Sequence, residues 1–336
     1  MQFDLPLEAL RSHVSAVDRP DGFDRFWSDT IAEARSHDRA PEVELIDLGL
    51  DAVDIYDVSF PGFGGHPIRA WLRVPRSRPA SGAPLVVQFH GYSGGRGWAL
   101  DPVLWPLAGY AHLSVDTRGQ GLGRMGGATA DPVAGFEGEI PGWMTKGIRS
   151  PETAYYRRVF TDAVRAVDAA RHLPGVDGRR IAVEGTSQGG GIALAVAGLR
   201  DDVSAVIAAV PFLCDIETAA TRLTDADPYN EVVRYLRLRR DMADAVHRTL
   251  GYVDVVNHVP SATAPALFAV ALMDRNCPPR TVFGAFNAYG GADKAIEVYP
   301  YNEHEGGEAV WERTRLDWLR GVLPPRVPSD AAGAAS

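Results

Sequence analysis

Cysteine is scarce in this chain of 336 residues. Only Cys214 and Cys277 occur, and two such residues do not make a disulfide framework in a protein of this size. A basic excess is also lacking. Thirty-four Lys and Arg face 43 Asp and Glu, for a formal net charge of −9, and no basic stripe is visible. A nucleic-acid partner or an anionic membrane surface is therefore not expected. Long apolar runs are absent too. Stretches such as residues 264–273 fall well short of the ~20 residues a membrane span needs. The opening MQFDLPLEAL has no basic region followed by an apolar core, so no secretory signal is expected and a cytoplasmic location is. No repeat, linker or low-complexity segment divides the chain. What remains is 46% hydrophobic and 23% charged residues, the composition of an ordinary globular protein with ample core.

The most informative stretch is RIAVEGTSQGGGIALAVAGLR, residues 180–200. Ile181 and Val183 belong to a short, mostly apolar run that reads as a buried strand, and residues 192–196 read as a helix. Between them lies Gly185-Thr186-Ser187-Gln188-Gly189. Strand, G-x-S-x-G and helix in that order form a nucleophile elbow, in which a sharp turn lifts the serine hydroxyl clear of the sheet. The flanking glycines let neighbouring segments approach without a Cβ clash. A helix starting at the serine favours negative charge beside it.

The rest of the chain places this elbow in an α/β fold. Residues 23–34 carry Phe23, Phe26, Trp27 and Ile31 at helical spacing. Residues 43–50, 53–59 and 68–74 read as an antiparallel meander, 84–89 and 112–116 as buried strands, and 155–173 as a strong helix. Residues 122–150, rich in glycine and proline, read as a long surface excursion. After the elbow, 203–213 reads as a strand, 214–262 as a helical insertion, 266–273 as a strand, 283–288 as a helix, 295–299 as a final strand and 310–323 as a closing helix. Strands alternating with helices imply a mainly parallel sheet with helices on both faces. The economical reading is one domain, residues 1–325, with a helical insertion at about 214–262 and a flexible tail at 326–336.

An activated serine needs a base and a carboxylate to hold that base. In the α/β-hydrolase fold these follow in the order serine, acid, histidine. Of the nine histidines, His247, His258 and His304 lie C-terminal to Ser187. His304 sits in the loop between the last strand and the last helix. His247 falls in a charged helical segment and His258 in the final loop of the insertion, where surface or capping roles suit them better. Asp274 directly follows the run ALFAVALM, at the edge where catalytic loops gather, whereas Asp254 and Asp293 follow no such strand. The oxyanion hole requires backbone N–H groups aimed at the developing charge. Gln188, after the nucleophile, supplies one, and Tyr92 in the His90-Gly91-Tyr92 loop is the choice for the other. His90, upstream of the serine, reads as a structural hydrogen-bonder. Two further patterns carry no chemistry. Gly121-x-Gly123-x-x-Gly126 is followed by Gly127, Pro132 and Gly135 rather than an opening helix, so a dinucleotide would meet no helix N-terminus. His304-Glu305-Gly306-Gly307-Glu308 has glutamate where a zinc helix needs its second histidine. No metal or other cofactor is expected.

Taken together, HGY (90–92), RGQG (118–121), GTSQGG (185–190) and His304-Glu305 resemble carbohydrate esterase family 7, the acetyl xylan esterases and cephalosporin C deacetylases. YYRRVFTDAVRAV (155–167), PFLCD (211–215) and DRNCPPRTVFGAFN (274–287) are also similar to that family. The resemblance runs from about Phe23 to the last helix. It implies an α/β-hydrolase with Ser187, Asp274 and His304 as nucleophile, acid and base, the Tyr92 and Gln188 amides as oxyanion hole, and Arg118 and Gln120 as supports of the elbow. It also implies an intracellular homohexamer acting on small acetylated sugars or cephalosporin C without a metal. A general short-chain carboxylesterase, a peptidase or a thioesterase on the same scaffold stays open, as does a noncatalytic binding module.

Overall fold

The computed structural model describes residues 1–101, 103–123, 125–133 and 140–325. The tail expected at 326–336 lies outside the described residues. Nine strands form one sheet in the order β1-β2-β3-β5-β4-β6-β7-β8-β9. Strands β1 (Glu42–Ile46), β2 (Val53–Pro61) and β3 (Pro67–Pro75) are the antiparallel meander expected from their alternating pattern, and β3 pairs antiparallel with β5 (Ala111–Val115). From β5 onward the sheet is parallel through β4 (Ala83–Phe89), β6 (Val176–Thr186), β7 (Ala205–Ala209), β8 (Ala266–Ala271) and β9 (Lys294–Tyr299).

Every residue of β7 and β8 is buried, which is why their sequences run apolar without alternation. Successive side chains point to opposite faces. Leu85 and Val87 of β4 therefore join one core and Val86 the other. The first core is covered by α2 (Phe23–Arg35), α4 (Tyr155–Ala170), α5 (Gln188–Leu199) and α9 (Pro279–Ala288), with the short α1 (Leu7–Arg11) lying against α9. The second is covered by α3 (Leu104–Leu107) and α10 (Glu308–Val322), through Trp105, Trp311 and Leu319. Helix α5 is apolar on nearly every face because it is sandwiched between the sheet and other helices.

Between β7 and β8 come α6 (Ile216–Thr218), α7 (Tyr229–Leu238) and α8 (Ala243–Val253), the expected helical insertion. Its Tyr229, Val246 and Leu250 belong to the same core as the sheet.

Two local expectations need correction. The strand read at 203–213 stops at Ala209, and the chain then turns through positive φ at Val210, Leu213 and Asp215. Its apolar residues Phe212 and Leu213 are buried in that turn rather than in a strand. The segment 122–150 is not simply a surface excursion. Trp143, Met144 and Ile148 are buried, as are Thr129 and Asp131. Glycine and proline erase the periodicity that signals burial, but they do not prevent single side chains from anchoring a loop.

Asp131 belongs to a buried ion cluster that joins this loop to the sheet. The guanidinium of Arg118, fully buried, donates to Asp162 Oδ2 at 2.5 Å and Oδ1 at 2.7 Å, and to Asp131 at 3.3 Å. Arg158 donates to both Asp131 oxygens at 3.1 and 2.6 Å. Burial alone would lower the Arg118 pKa, but the two carboxylates outweigh it and raise it. Removing one partner of such a pair leaves an uncompensated buried charge. Asp162→Ala should accordingly cost ~3–5 kcal/mol of stability, measured by urea unfolding. A loss within the ~0.5 kcal/mol typical of surface substitutions would show that the cluster is not structural.

Candidate active site

The elbow is built by close backbone contact. Ser187 has φ 57° and ψ −121°, a conformation non-glycine residues rarely adopt and hold only when their surroundings enforce it. Enforcement is visible on three sides. The Ser187 N–H donates to Ala209 O at 2.9 Å, while its carbonyl accepts from Gly191 N at 3.0 Å and Phe212 N at 2.9 Å. The tight turn after β7 is thus folded around the serine backbone. A Cβ at Gly189 would overlap the carbonyl of Phe89, and one at Gly185 would overlap the Gly189 backbone. Helix, elbow and β4 approach that closely because those side chains are missing.

Asp274 lies three residues beyond β8 and is fully buried. Its Oδ1 accepts from the amides of Asn276 at 2.8 Å and Cys277 at 3.0 Å, and its Oδ2 lies 2.9 Å from His304 Nδ1. With a carboxylate as partner, Nδ1 carries the proton and Nε2 keeps its lone pair. The His304 loop is itself braced. Glu305 accepts from Glu303 N at 3.1 Å and Asn302 Nδ2 at 3.0 Å, and Met273 N donates to Asn302 O at 3.1 Å.

Ser187, His304 and Tyr92 line one cleft of about 480 Å³, together with Phe212, Asn276, Cys277 and, from the insertion, Asp227 and Pro228. Asp274 stands behind His304, outside the lining. At the base, Cys277 Sγ is 4.0 Å from Ser187 Oγ. Burial pushes the Cys277 thiol pKa well up, so at neutral pH it is a compact, uncharged wall. Asp274, Cys277 and His304 each bring one possible metal-ligand atom within 4.8 Å of the others. Both Asp274 oxygens, however, are already engaged by His304 and two amides.

The two amides expected to form the oxyanion hole, those of Gln188 and Tyr92, carry no other hydrogen bond among the described residues. Gln188 is the first residue of α5, so its amide has no acceptor within the helix. Among the described residues the Tyr92 N–H donates to no acceptor, whereas Ser93 N donates to Gln120 Oε1 at 2.8 Å and Gly94 N to Gly91 O at 2.9 Å. The side chain of Gln188 points away, into the protein. It and Gln120 bond reciprocally, Gln120 Nε2 to Gln188 Oε1 at 2.9 Å and Gln188 Nε2 to Gln120 Oε1 at 3.2 Å. Gln120 therefore lies beneath the elbow and not in the cleft, while the Arg118 side chain is engaged by Asp162 and Asp131.

The other histidines are elsewhere. Buried His90 bonds through Nε2 to Ser114 Oγ at 2.9 Å, and burial, aided by Arg73, lowers its pKa to about 4. His247 is on α8, 3.1 Å from Glu217. His258 departs from the surface or capping role expected of it. It is buried against Phe23, Trp27 and Phe160, and burial lowers its pKa to about 3. Asp254, the rival acid, is buried and accepts from the Asp215, Ile216 and Val256 amides, holding the turn after β7. No helix follows Gly126 among the described residues before α4, so the dinucleotide fingerprint lacks its structural setting. Phe212, Cys277, Asp227 and Pro228 were not singled out for the site from sequence. Phe212 and Cys277 carried a local signal, lying in PFLCD and three residues after Asp274.

Comparison with known proteins adds a consistent result. The family model described as acetyl xylan esterase (AXE1) matches residues 1–322. The acetyl esterase Axe7A of Xylanibacter ruminicola is 27% identical over 305 residues, which span 90% of this chain and 67% of that protein. The structure of an acetyl xylan esterase from Paenibacillus sp. R4 superposes with a TM-score of 0.88 at 35% identity, covering 95% of this chain and 100% of the other. Acetyl xylan esterase 1 from Thermoanaerobacterium sp. JW/SL YS485 gives 0.85 at 31% identity, covering 96% and 99%.

Proposed function

Because the chain belongs to the acetyl xylan esterase family, it is a serine esterase that removes acetyl groups from acetylated substrates, and we propose that Ser187, His304 and Asp274 carry the reaction. The observation that carries this reading is the 2.9 Å contact between His304 Nδ1 and buried Asp274, made at the rim of the cleft into which strained Ser187 faces. His304 Nε2 takes the proton from Ser187 Oγ as the oxygen attacks the acetyl carbonyl. The electron pair displaced from the C=O bond rests on an oxyanion held by the Tyr92 and Gln188 amides. Collapse expels the sugar alcohol, which takes the proton from the imidazolium. Water, deprotonated by the same histidine, then hydrolyses the acetyl-enzyme. Asp274 keeps the imidazole in the productive tautomer and stabilises its charged form.

Ser187→Ala should remove about 10⁶-fold of kcat while the melting temperature stays near that of the native protein. Asp274→Asn should cost about 10⁴-fold. Both are read with p-nitrophenyl acetate. If Asp254→Asn or Asp293→Asn caused that loss while Asp274→Asn did not, the acid would be misassigned.

The proposed substrates are short acyl esters of small alcohols, acetylated xylo-oligosaccharides and cephalosporin C among them. Tyr92 and Phe212 wall the cleft, and they are backed by Trp143 and Tyr229 at ring distances of 4.9 and 4.4 Å. Such walls have no room to recede, and overpacking costs ~1–3 kcal/mol. The kcat/KM for p-nitrophenyl esters should fall by about fivefold or more from acetyl to butyryl, and acetylated oligosaccharides should outrun intact acetylated xylan. Rates that rise with chain length would identify a general carboxylesterase, and turnover of a peptide p-nitroanilide a peptidase.

The insertion supplies the roof of this cleft, so we treat residues 1–325 as one catalytic unit. A homohexamer is proposed from the family resemblance, supported by exposed apolar side chains Val43, Leu45 and Leu48 on and beside the free-edged strand β1. Sedimentation velocity at micromolar concentration should show the assembly, and a monomer alone would reject it. The free cysteines fit a reducing, cytoplasmic setting. No helix among the described residues is long and apolar enough to cross a membrane.

A further inference from the structure

The loop that bears the Tyr92 amide is weakly held by its own backbone. It reads His90-Gly91-Tyr92-Ser93-Gly94-Gly95, with three glycines in six residues and Ser93 at φ 67°. Glycine-rich backbone is conformationally permissive, and a left-handed serine persists only where its surroundings hold it. An oxyanion donor, by contrast, must be aimed in advance of the reaction. Something outside the loop has to aim it.

The backbone on either side of Tyr92 is anchored by the Ser93 N–H on Gln120, by Gly123 N on Ser93 O at 2.9 Å and by Gln188 Nε2 on His90 O at 3.2 Å. The anchor on Tyr92 itself lies at the far end of its ring. The phenol oxygen accepts from Gly142 N at 3.2 Å and Trp143 N at 3.0 Å, and its proton goes to Glu231 Oε1 at 2.5 Å. Glu231 Oε2 accepts from Met144 N at 3.1 Å. Glu231 is 5% exposed on α7, within the insertion. One carboxylate therefore takes the tyrosine hydroxyl with one oxygen and the segment that brackets that hydroxyl with the other. The Trp143 ring packs edge-on against Tyr92 at 4.9 Å, so a rigid ring runs from Glu231 to the backbone at the cleft.

From this geometry we propose that Glu231 is the residue that positions the Tyr92 amide for the oxyanion, and hence that the insertion tunes the chemical step as well as roofing the cleft. The proposal rests on the serine-esterase reading above. Glu231 touches no reacting atom. It acts through the tyrosine ring, and its effect falls on transition states in which the carbonyl oxygen carries charge.

The experiment compares Glu231→Leu, Glu231→Gln and Tyr92→Phe with the native protein, each checked for a cooperative melt. With p-nitrophenyl acetate, Glu231→Leu should lower kcat by about tenfold, the scale of one lost or misaimed hydrogen bond to a charged group, and leave KM within about twofold. Glu231→Gln keeps an acceptor for the Tyr92 hydroxyl but turns an NH2 towards the Met144 N–H, so it should recover part of the loss. Tyr92→Phe should reproduce the loss, and in the double variant with Glu231→Leu the two effects should not multiply, since each removes the same link.

A second readout separates aim from general loosening. With a methyl trifluoromethyl ketone, Ser187 Oγ adds to the carbonyl carbon as its proton passes to His304 Nε2, and the displaced C=O electron pair rests on oxygen as a hemiketal oxyanion. Its affinity should fall in proportion to kcat across the series. Unchanged kcat in folded Glu231→Leu, a rise in KM alone, or a fall in kcat with ketone affinity intact would each overturn the proposal. If Glu231→Leu does not fold, Tyr92→Phe alone decides by the same two readouts. Labelling by a fluorophosphonate tests the underlying reading separately. Native protein labelled at Ser187, with Ser187→Ala inert and unlabelled, keeps that reading whatever Glu231 does, whereas an active Ser187→Ala would remove it.

Discussion

Two buried carboxamides hold the site together. Each of Gln120 and Gln188 offers the other a donor and an acceptor, and the positions left over reach outward: Gln120 to Ser93 N and the Tyr155 hydroxyl, Gln188 to His90 O and the Tyr156 hydroxyl. Four chain segments far apart in sequence meet there: the loop after β4, the loop after β5, the start of α4 and the first turn of α5. The pair is buried, so any unmatched donor or acceptor would carry a desolvation cost, and a fully matched network specifies a single arrangement. The strained serine and the loop that bears Tyr92 both border this pair.

Charge is distributed with the same economy. Burial pulls His90, His112 and His258 towards the neutral form, where they serve as hydrogen-bonding or packing groups. His304, about one-third exposed at its side chain, is the histidine set against a buried carboxylate beside the cleft. Other buried ions are taken up in clusters such as Arg118 with Asp131 and Asp162.

Much of this was legible in the residues. The buried strands announce themselves as apolar runs, the elbow as G-x-S-x-G between strand and helix, and Asp274 and His304 by their order and by the loops that follow β8 and β9. The failures share a physical cause. Trp143 and Met144 sit in a stretch without periodicity, and what buries them is contact with Tyr92 and Glu231, 51 and 87 residues away along the chain. The apolar run 203–213 reads as strand throughout, because local pattern reports burial and not where a chain must turn; the turn is set by the bonds of Phe212 and Val210 to Ser187 and Ala269. His258 looked like a loop residue for the same reason, its aromatic neighbours coming from α2 and α4.

The crowding around Gly185 and Gly189 divides the protein into a part that can vary and a part that cannot. At those two glycines a single added carbon would collide with backbone, and backbone has nowhere to go. Across the cleft, Asp227 is more than half exposed at its side chain and paired with a similarly exposed Arg234, so other side chains can be accommodated there. The roof can therefore change one residue at a time while the floor stays the same. The scaffold is brittle at the elbow and tolerant at the mouth of the cleft.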